Sequence, residues 1–206
     1  MSETLYFGEP GAPLVVVVHD WFGRLPWLGA LGMSLASEGL QVAVPDFLDG
    51  ESTTDPLQAR RLIDGIDIGA ALAVIDDIID EARLYGTEKV GVLGFSTGGW
   101  LALVHAQGGE VDAVVAYYAS ISEKHHGIIP CPLLLQYAEL DDWEYGGDPV
   151  SFTARLEQHG TPTTLYTYLG TQHHFANLNL PEGSDPRAAA LAQARTSAFL
   201  AVHLLD

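Results

Sequence analysis

The stretch Val92-Leu93-Gly94-Phe95-Ser96-Thr97-Gly98-Gly99-Trp100 (VLGFSTGGW) decides the reading of the whole chain. An apolar run stops at one serine, glycines crowd around it, and apolar residues at helical spacing follow. A buried strand therefore turns sharply into a helix. The serine is either incidental to that turn or a nucleophile held at its apex, and the rest of the chain must discriminate.

Outward from this turn, apolar segments of two kinds alternate. Residues 14–18 (LVVVV) form a β-branched run, as expected of a central strand covered on both faces. Residues 27–39 have helical spacing and stop at Gly39. Residues 41–45 (QVAVP) are a second short strand, halted by proline. Asp55-Pro56 pairs a capping carboxylate with a proline at the first helical position. A helical pattern follows to Leu84, with Gly65 and Gly69 as candidate breaks. Further strands are expected at 89–95, 112–118 and 132–137, and a weaker one, nearer an edge, at 163–168. Helices are expected at 97–106, 150–159 and from Asp185-Pro186 through Leu204. This alternation predicts an α/β fold, a mostly parallel sheet with helices on both faces, in three layers.

The 206 residues, 48% of them hydrophobic, suit one domain spanning 1–206 with a sizeable core. No uninterrupted apolar run approaches the ~20 residues of a bilayer span. The start, MSETLYFGEPGAP, lacks the basic-then-apolar order of a secretory signal. The expectation is a soluble cytoplasmic protein, monomeric or a weak homodimer. The single cysteine, Cys131, excludes an internal disulfide and reads as a buried strand-entry residue. A formal net charge of −18, from 27 acids against 9 bases, disfavours nucleic acid and anionic membranes as partners.

In open parallel sheets, ligands bind beyond the carboxyl ends of the strands. The residues there are His19-Asp20-Trp21-Phe22-Gly23, Asp46, Ser96-Thr97, Tyr118, Glu139-Leu140-Asp141-Asp142 and His173-His174. A serine, carboxylates and histidines on one rim suit nucleophilic acyl transfer. The serine needs an imidazole to take its proton, and the imidazole needs a carboxylate to orient it. Gly94-Phe95-Ser96-Thr97-Gly98 fits the G-x-S-x-G nucleophile elbow, and the order serine, acid, histidine is that of the α/β-hydrolases. Spacing leaves His173 and His174 both available as the base. Neither His173-His174 nor His125-His126 has the i, i+4 spacing of a zinc motif, so no metal or other cofactor is expected.

These segments resemble the dienelactone hydrolase family over nearly the whole length. VVVVHDWFG (15–23) is similar to its first core strand and oxyanion loop, EGLQVAVPD (38–46) to its "EEGY…APD" segment, and VGVLGFSTGGW (90–100) to its elbow. YAELD (137–141) resembles its "GExD" acid loop, and YLGTQHHFAN (168–177) its "YPGAGHAFAN" segment. The tail, with Ala188-Ala189, Ala194-Arg195-Thr196 and Phe199-Leu200, resembles its last helix. The resemblance implies Ser96 as nucleophile, Asp141 as acid and His173 as base, with Asp142 the runner-up acid. It implies an oxyanion hole from the backbone N–H groups of Trp21 and Thr97. Asp20 matches a position where the family carries a glutamate, and either tunes the nucleophile or holds its loop.

Two departures stand out. Founding members use cysteine where this chain has Ser96, so a conventional serine esterase mechanism is expected. The segment after Asp46 is too short for a sizeable lid, so the site should be open and shallow. Arg24 is the candidate contact for an anionic substrate, with Arg60 and Arg61 behind it. Trp21, Phe22, Trp27, Tyr118 and Trp143 are candidate apolar walls. The expected activity is hydrolysis of small carboxylic esters or lactones. A thioesterase or acyl-transfer enzyme with the same triad, or an inactive small-molecule-binding homologue, are the alternatives.

Overall fold

The computed structural model describes residues 3–141 and 147–206. Its strands are β1 (Leu5–Phe7), β2 (Leu14–Val18), β3 (Gln41–Val44), β4 (Val90–Phe95), β5 (Ala113–Tyr117), β6 (Leu133–Leu140) and β7 (Thr163–Gln172). Its helices are α1 (Pro26–Ala36), α2 (Pro56–Ile63), α3 (Ile68–Leu84), α4 (Thr97–Ala106), α5 (Pro149–His159) and α6 (Pro186–Leu200). One sheet runs in the order β1-β3-β2-β4-β5-β6-β7. Every pairing is parallel except β1 with β3. This is the mostly parallel α/β sheet expected from the alternation of segments, and the α/β-hydrolase architecture that the resemblance implies.

Successive residues of the central strands face opposite layers, as the pleat requires. Val16, Val18, Val92 and Val114 pack with Ile75 and Ile79 of α3, Leu103 of α4 and Phe152 of α5. Val15, Val17, Leu93 and Val115 pack on the other face with Leu28 and Leu35 of α1 and Leu200 of α6. Burial on both faces is why these strands read as unbroken apolar runs. All three Asp-Pro pairs, Asp55-Pro56, Asp148-Pro149 and Asp185-Pro186, cap the helices they open. Asp55 accepts from the amide of Leu57, Asp148 from that of Ser151, and Asp185 from those of Arg187 and Ala188.

The strand order places the site. The chain moves outward one way from β2 to β3 and the other way from β4 to β5, so β2 and β4 flank the point where the winding reverses. A crevice opens at such a point, beyond the strand ends. Val18 pairs with Gly94, so the 19–23 loop and Ser96 leave the sheet side by side.

Some elements differ from expectation. β1 was not foreseen: its three residues are largely exposed, so they carry little burial signal, and pairing with β3 together with Phe7 packing on the α1 side of the core orders them. β6 and β7 run several residues beyond 137 and 168 because they pair with each other as far as Leu140 and Gln172. Residues Pro186–Leu205 form a continuous helical stretch of 20 residues, and an 18-residue window within it has mean hydropathy 1.2, enough by length and composition to cross a bilayer. Here Ala189, Ala192, Thr196 and Leu200 are buried on the sheet side of that helix.

Candidate active site

Ser96 sits at the junction of β4 and α4 with φ 53° and ψ −116°, a backbone conformation that L-residues rarely adopt. The surrounding hydrogen bonds hold it there. Its amide donates to Tyr117 O at 3.0 Å, and its carbonyl accepts from the Trp100 amide at 2.9 Å. The glycines have separate steric reasons. A Cβ on Gly94 would overlap the Gly98 carbonyl, and one on Gly98 would overlap the carbonyl oxygens of Val18 and His19. The turn is therefore pressed against the end of β2.

Ser96 Oγ lies 2.8 Å from His173 Nε2. His173 Nδ1 lies 2.8 Å from both carboxylate oxygens of Asp141. The carboxylate accepts, so Nδ1 carries the proton and Nε2 is left to accept from the serine. Asp141 follows β6 and His173 follows β7, and the pairing of those strands brings the two loops together. Glu139 strengthens the connection by accepting from the Gly170 amide at 2.7 Å.

His174 turns away from the serine. Its ring lies near-parallel to Trp21 at 6.1 Å and edge-on to Phe22 at 5.0 Å. Burial, with His173 beside it, drives its pKa down to about 2, so it is a neutral packing group. Geometry thus separates two adjacent histidines that spacing left equivalent.

Asp20 is buried under the 19–23 loop. It accepts from the Phe22 amide and from Asn177 Nδ2, both at 2.9 Å. Asn177 Oδ1 accepts from the Asn179 amide, and Asn179 Oδ1 from the Trp27 amide at the start of α1. One polar chain thus ties the loop after β2 to the loop that carries His173. Burial pushes Asp20 up to about 7 despite its two hydrogen bonds. His19 braces the loop from the other side. Its Nδ1 donates to Asp20 O, and its Nε2 accepts from the Phe47 amide. Burial lowers its pKa and keeps it neutral. Asp46 closes the next turn by accepting from the amides of Leu48 and Gly50.

A cleft of about 250 Å³ opens from Ser96 and Thr97. Its walls are Ile63, Ile66 and Ile68 at the α2–α3 junction, Trp100 and Leu101 of α4, and Tyr118 after β5. A model of the dienelactone hydrolase family matches residues 3–204. The chain belongs to the dienelactone hydrolase family. It is similar to Protein usf of Aquifex pyrophilus, 27% identical over 97% of this chain and 93% of that one. It is 29% identical to a carboxymethylenebutenolidase of Pseudomonas putida, over 92% of this chain and 86% of the other. The crystal structure of a Klebsiella pneumoniae protein assigned as a dienelactone hydrolase shares the fold. Its TM-score is 0.77 at 20% identity, covering 96% of this chain and 92% of that one. Membership makes this chain a carboxylic ester hydrolase acting on a small-molecule ester or lactone.

As a family member it departs from several expectations about the pocket. Of the candidate walls among the described residues, Tyr118 lines the cleft and Trp21, Phe22 and Trp27 do not. Phe22 is buried against His174, and Trp27 packs on Phe95 at 4.7 Å, on the α1 and α6 face of the sheet. Trp143 and the runner-up acid Asp142 lie outside the described residues. Arg24 does not face the cleft. Its guanidinium donates to the carbonyls of Glu3 and Val44, bridging the N-terminal segment to β3. Arg60 pairs with Asp64 one turn along, and Arg61 is exposed. The α2–α3 junction forms one wall of the site. The sequence signal for that wall was three isoleucines in Ile63-Asp64-Gly65-Ile66-Asp67-Ile68, too apolar for a purely solvated link.

Proposed function

We propose that this family member is a serine hydrolase of small carboxylic esters or lactones, acting through Ser96, His173, Asp141 and an acyl-enzyme. One observation carries the reading: the continuous relay from Ser96 Oγ through both nitrogens of His173 to Asp141, each step at 2.8 Å. His173 Nε2 takes the serine proton as Ser96 Oγ attacks the ester carbonyl. The ester carbonyl carbon becomes tetrahedral, and its oxygen gains negative charge. Asp141 stabilises the imidazolium. The proton then passes from Nε2 to the departing alkoxide, leaving an acyl group on Ser96. Water, deprotonated by the same histidine, releases the acid and restores the serine.

The oxyanion in this scheme rests on the amides of Thr97 and Trp21. Thr97 is in the first turn of α4, where a helix has no intrahelical carbonyl for its amides and the dipole favours negative charge. The close approach of Gly98 to the His19 carbonyl sets the 19–23 loop beside that turn. The relative from Pseudomonas putida is named for a butenolide, which supports keeping lactones in the substrate class.

Ser96→Ala should lower kcat on a short-chain p-nitrophenyl ester by about 10⁴-fold or more. It should also abolish labelling by a fluorophosphonate, with an unchanged circular dichroism spectrum. Full activity in that variant would remove Ser96 as nucleophile.

A further inference from the structure

We infer that the cleft beside Ser96 receives the uncharged, apolar acyl group of a neutral ester and rejects acyl groups that carry a carboxylate. The inference rests on the serine-hydrolase reading and adds a substrate class to it.

The walls supply the first reason. Ile63, Ile66, Ile68, Trp100 and Leu101 present only hydrocarbon and one indole, and among the described residues none that lines the cleft carries a formal charge. Ile68 is 44% exposed at the rim, although Ile63 and Ile66 beside it are half-buried. Such a surface gains burial when an apolar chain fills it.

The second reason is where the cations are. All nine lysines and arginines lie among the described residues, and none lines the cleft. Arg24 is bound to backbone carbonyls, Arg60 to Asp64, Arg83 to Glu110 and Lys89 to Asp112. Arg155 donates to His126 and to the Ile121 carbonyl, and Arg195 lies over the Tyr166 ring. Arg61, Lys124 and Arg187 are exposed on the surface. A carboxylate entering the cleft would lose its hydration and meet no cation in exchange.

The third reason assigns the acyl side. The leaving alcohol must take its proton from His173 Nε2, so it departs on the histidine side of Ser96. His173 does not line the cleft, which instead begins at Ser96 and Thr97 and runs along α4. The group that stays on Ser96 is therefore the one the cleft holds. At about 250 Å³ the cleft is near the small end of ligand pockets, which suits a short acyl chain.

The test compares wild-type kcat/KM for p-nitrophenyl butanoate with that for mono-p-nitrophenyl succinate, an ester of the same chain length ending in a carboxylate. The expected ratio is tenfold or more in favour of butanoate, measured at 0.15 M salt. A smaller ratio overturns the inference. A second readout is the acyl-length series from acetate to dodecanoate. Wild type should peak between four and eight carbons, and Ile66→Trp should move the peak at least two carbons shorter. An unmoved peak in the folded variant rules out the cleft as the acyl site. If Ser96→Ala ends all of these activities while the butanoate preference is missing, the serine mechanism stands and the substrate class fails. If Ser96→Ala leaves them intact, the mechanism itself has failed.

Discussion

Asp20 and His174 face each other behind the nucleophile, 3.9 Å apart, and burial shifts both toward their neutral forms. Asp20 rises from 3.8 to about 7, so in that window the native state holds a proton that the unfolded chain has released. Its contribution to stability is present below about pH 4 and lost as pH rises through 7, by at most ~1.4 kcal/mol per pH unit. His174 falls from 6.5 to about 2, so the unfolded chain binds the extra proton. Its contribution is present above pH 6.5 and lost as pH falls. The two oppose one another between pH 4.5 and 6.5. Relative to wild type, Asp20→Asn should gain stability as pH rises across that window, and His174→Gln should lose it. Urea unfolding at several pH values checks this, and difference slopes of the same sign would refute it. Ser96 and its order relative to Asp141 and His173 were legible in the chain. The resemblance left Asp20 between tuning the nucleophile and holding its loop; its clamp to Asn177, and the role of His174 as a packed neutral ring, were not legible. Both depend on which way a side chain points from a loop.

At the scale of elements, the β4–α4 turn shows why local sequence could be read so well. Its glycines are required by backbone collisions within a few residues or with the adjacent strand end. Gly98→Ala would force a Cβ into the Val18 and His19 carbonyls, neither of which can yield as a side-chain tip could. We expect a loss of about 3 kcal/mol or more, read as a lower midpoint in thermal or urea unfolding. A shift under about 1 kcal/mol would mean the turn can relax away from β2. The helix starts were legible for a similar reason, since the Asp-Pro pairs act on their own next three residues. Strand β1 was not, because its three residues gain order from the distant β3 and, through Phe7, from the α1 side of the core.

At the scale of the molecule, the net charge of −18 disfavours the approach of anions over long range. Raising ionic strength from about 10 mM to about 150 mM shortens the Debye length from ~30 to ~8 Å. The kcat/KM for an anionic ester should then rise several-fold, while that for its neutral counterpart changes less than twofold. Equal responses would show that the field does not reach the site. Charge, strand alternation, the elbow and the order serine–acid–histidine were all determined by the sequence alone, because each is a sum over residues or a pattern along the chain. The pairing of β6 with β7, which sets Asp141 against His173, was decided only in three dimensions. So was the cleft wall at Ile63, Ile66 and Ile68, some thirty residues from Ser96 along the chain. So was the turning of Arg24 onto backbone carbonyls. Contacts between distant segments depend on how the layers pack, and one-dimensional pattern carries no measure of that distance.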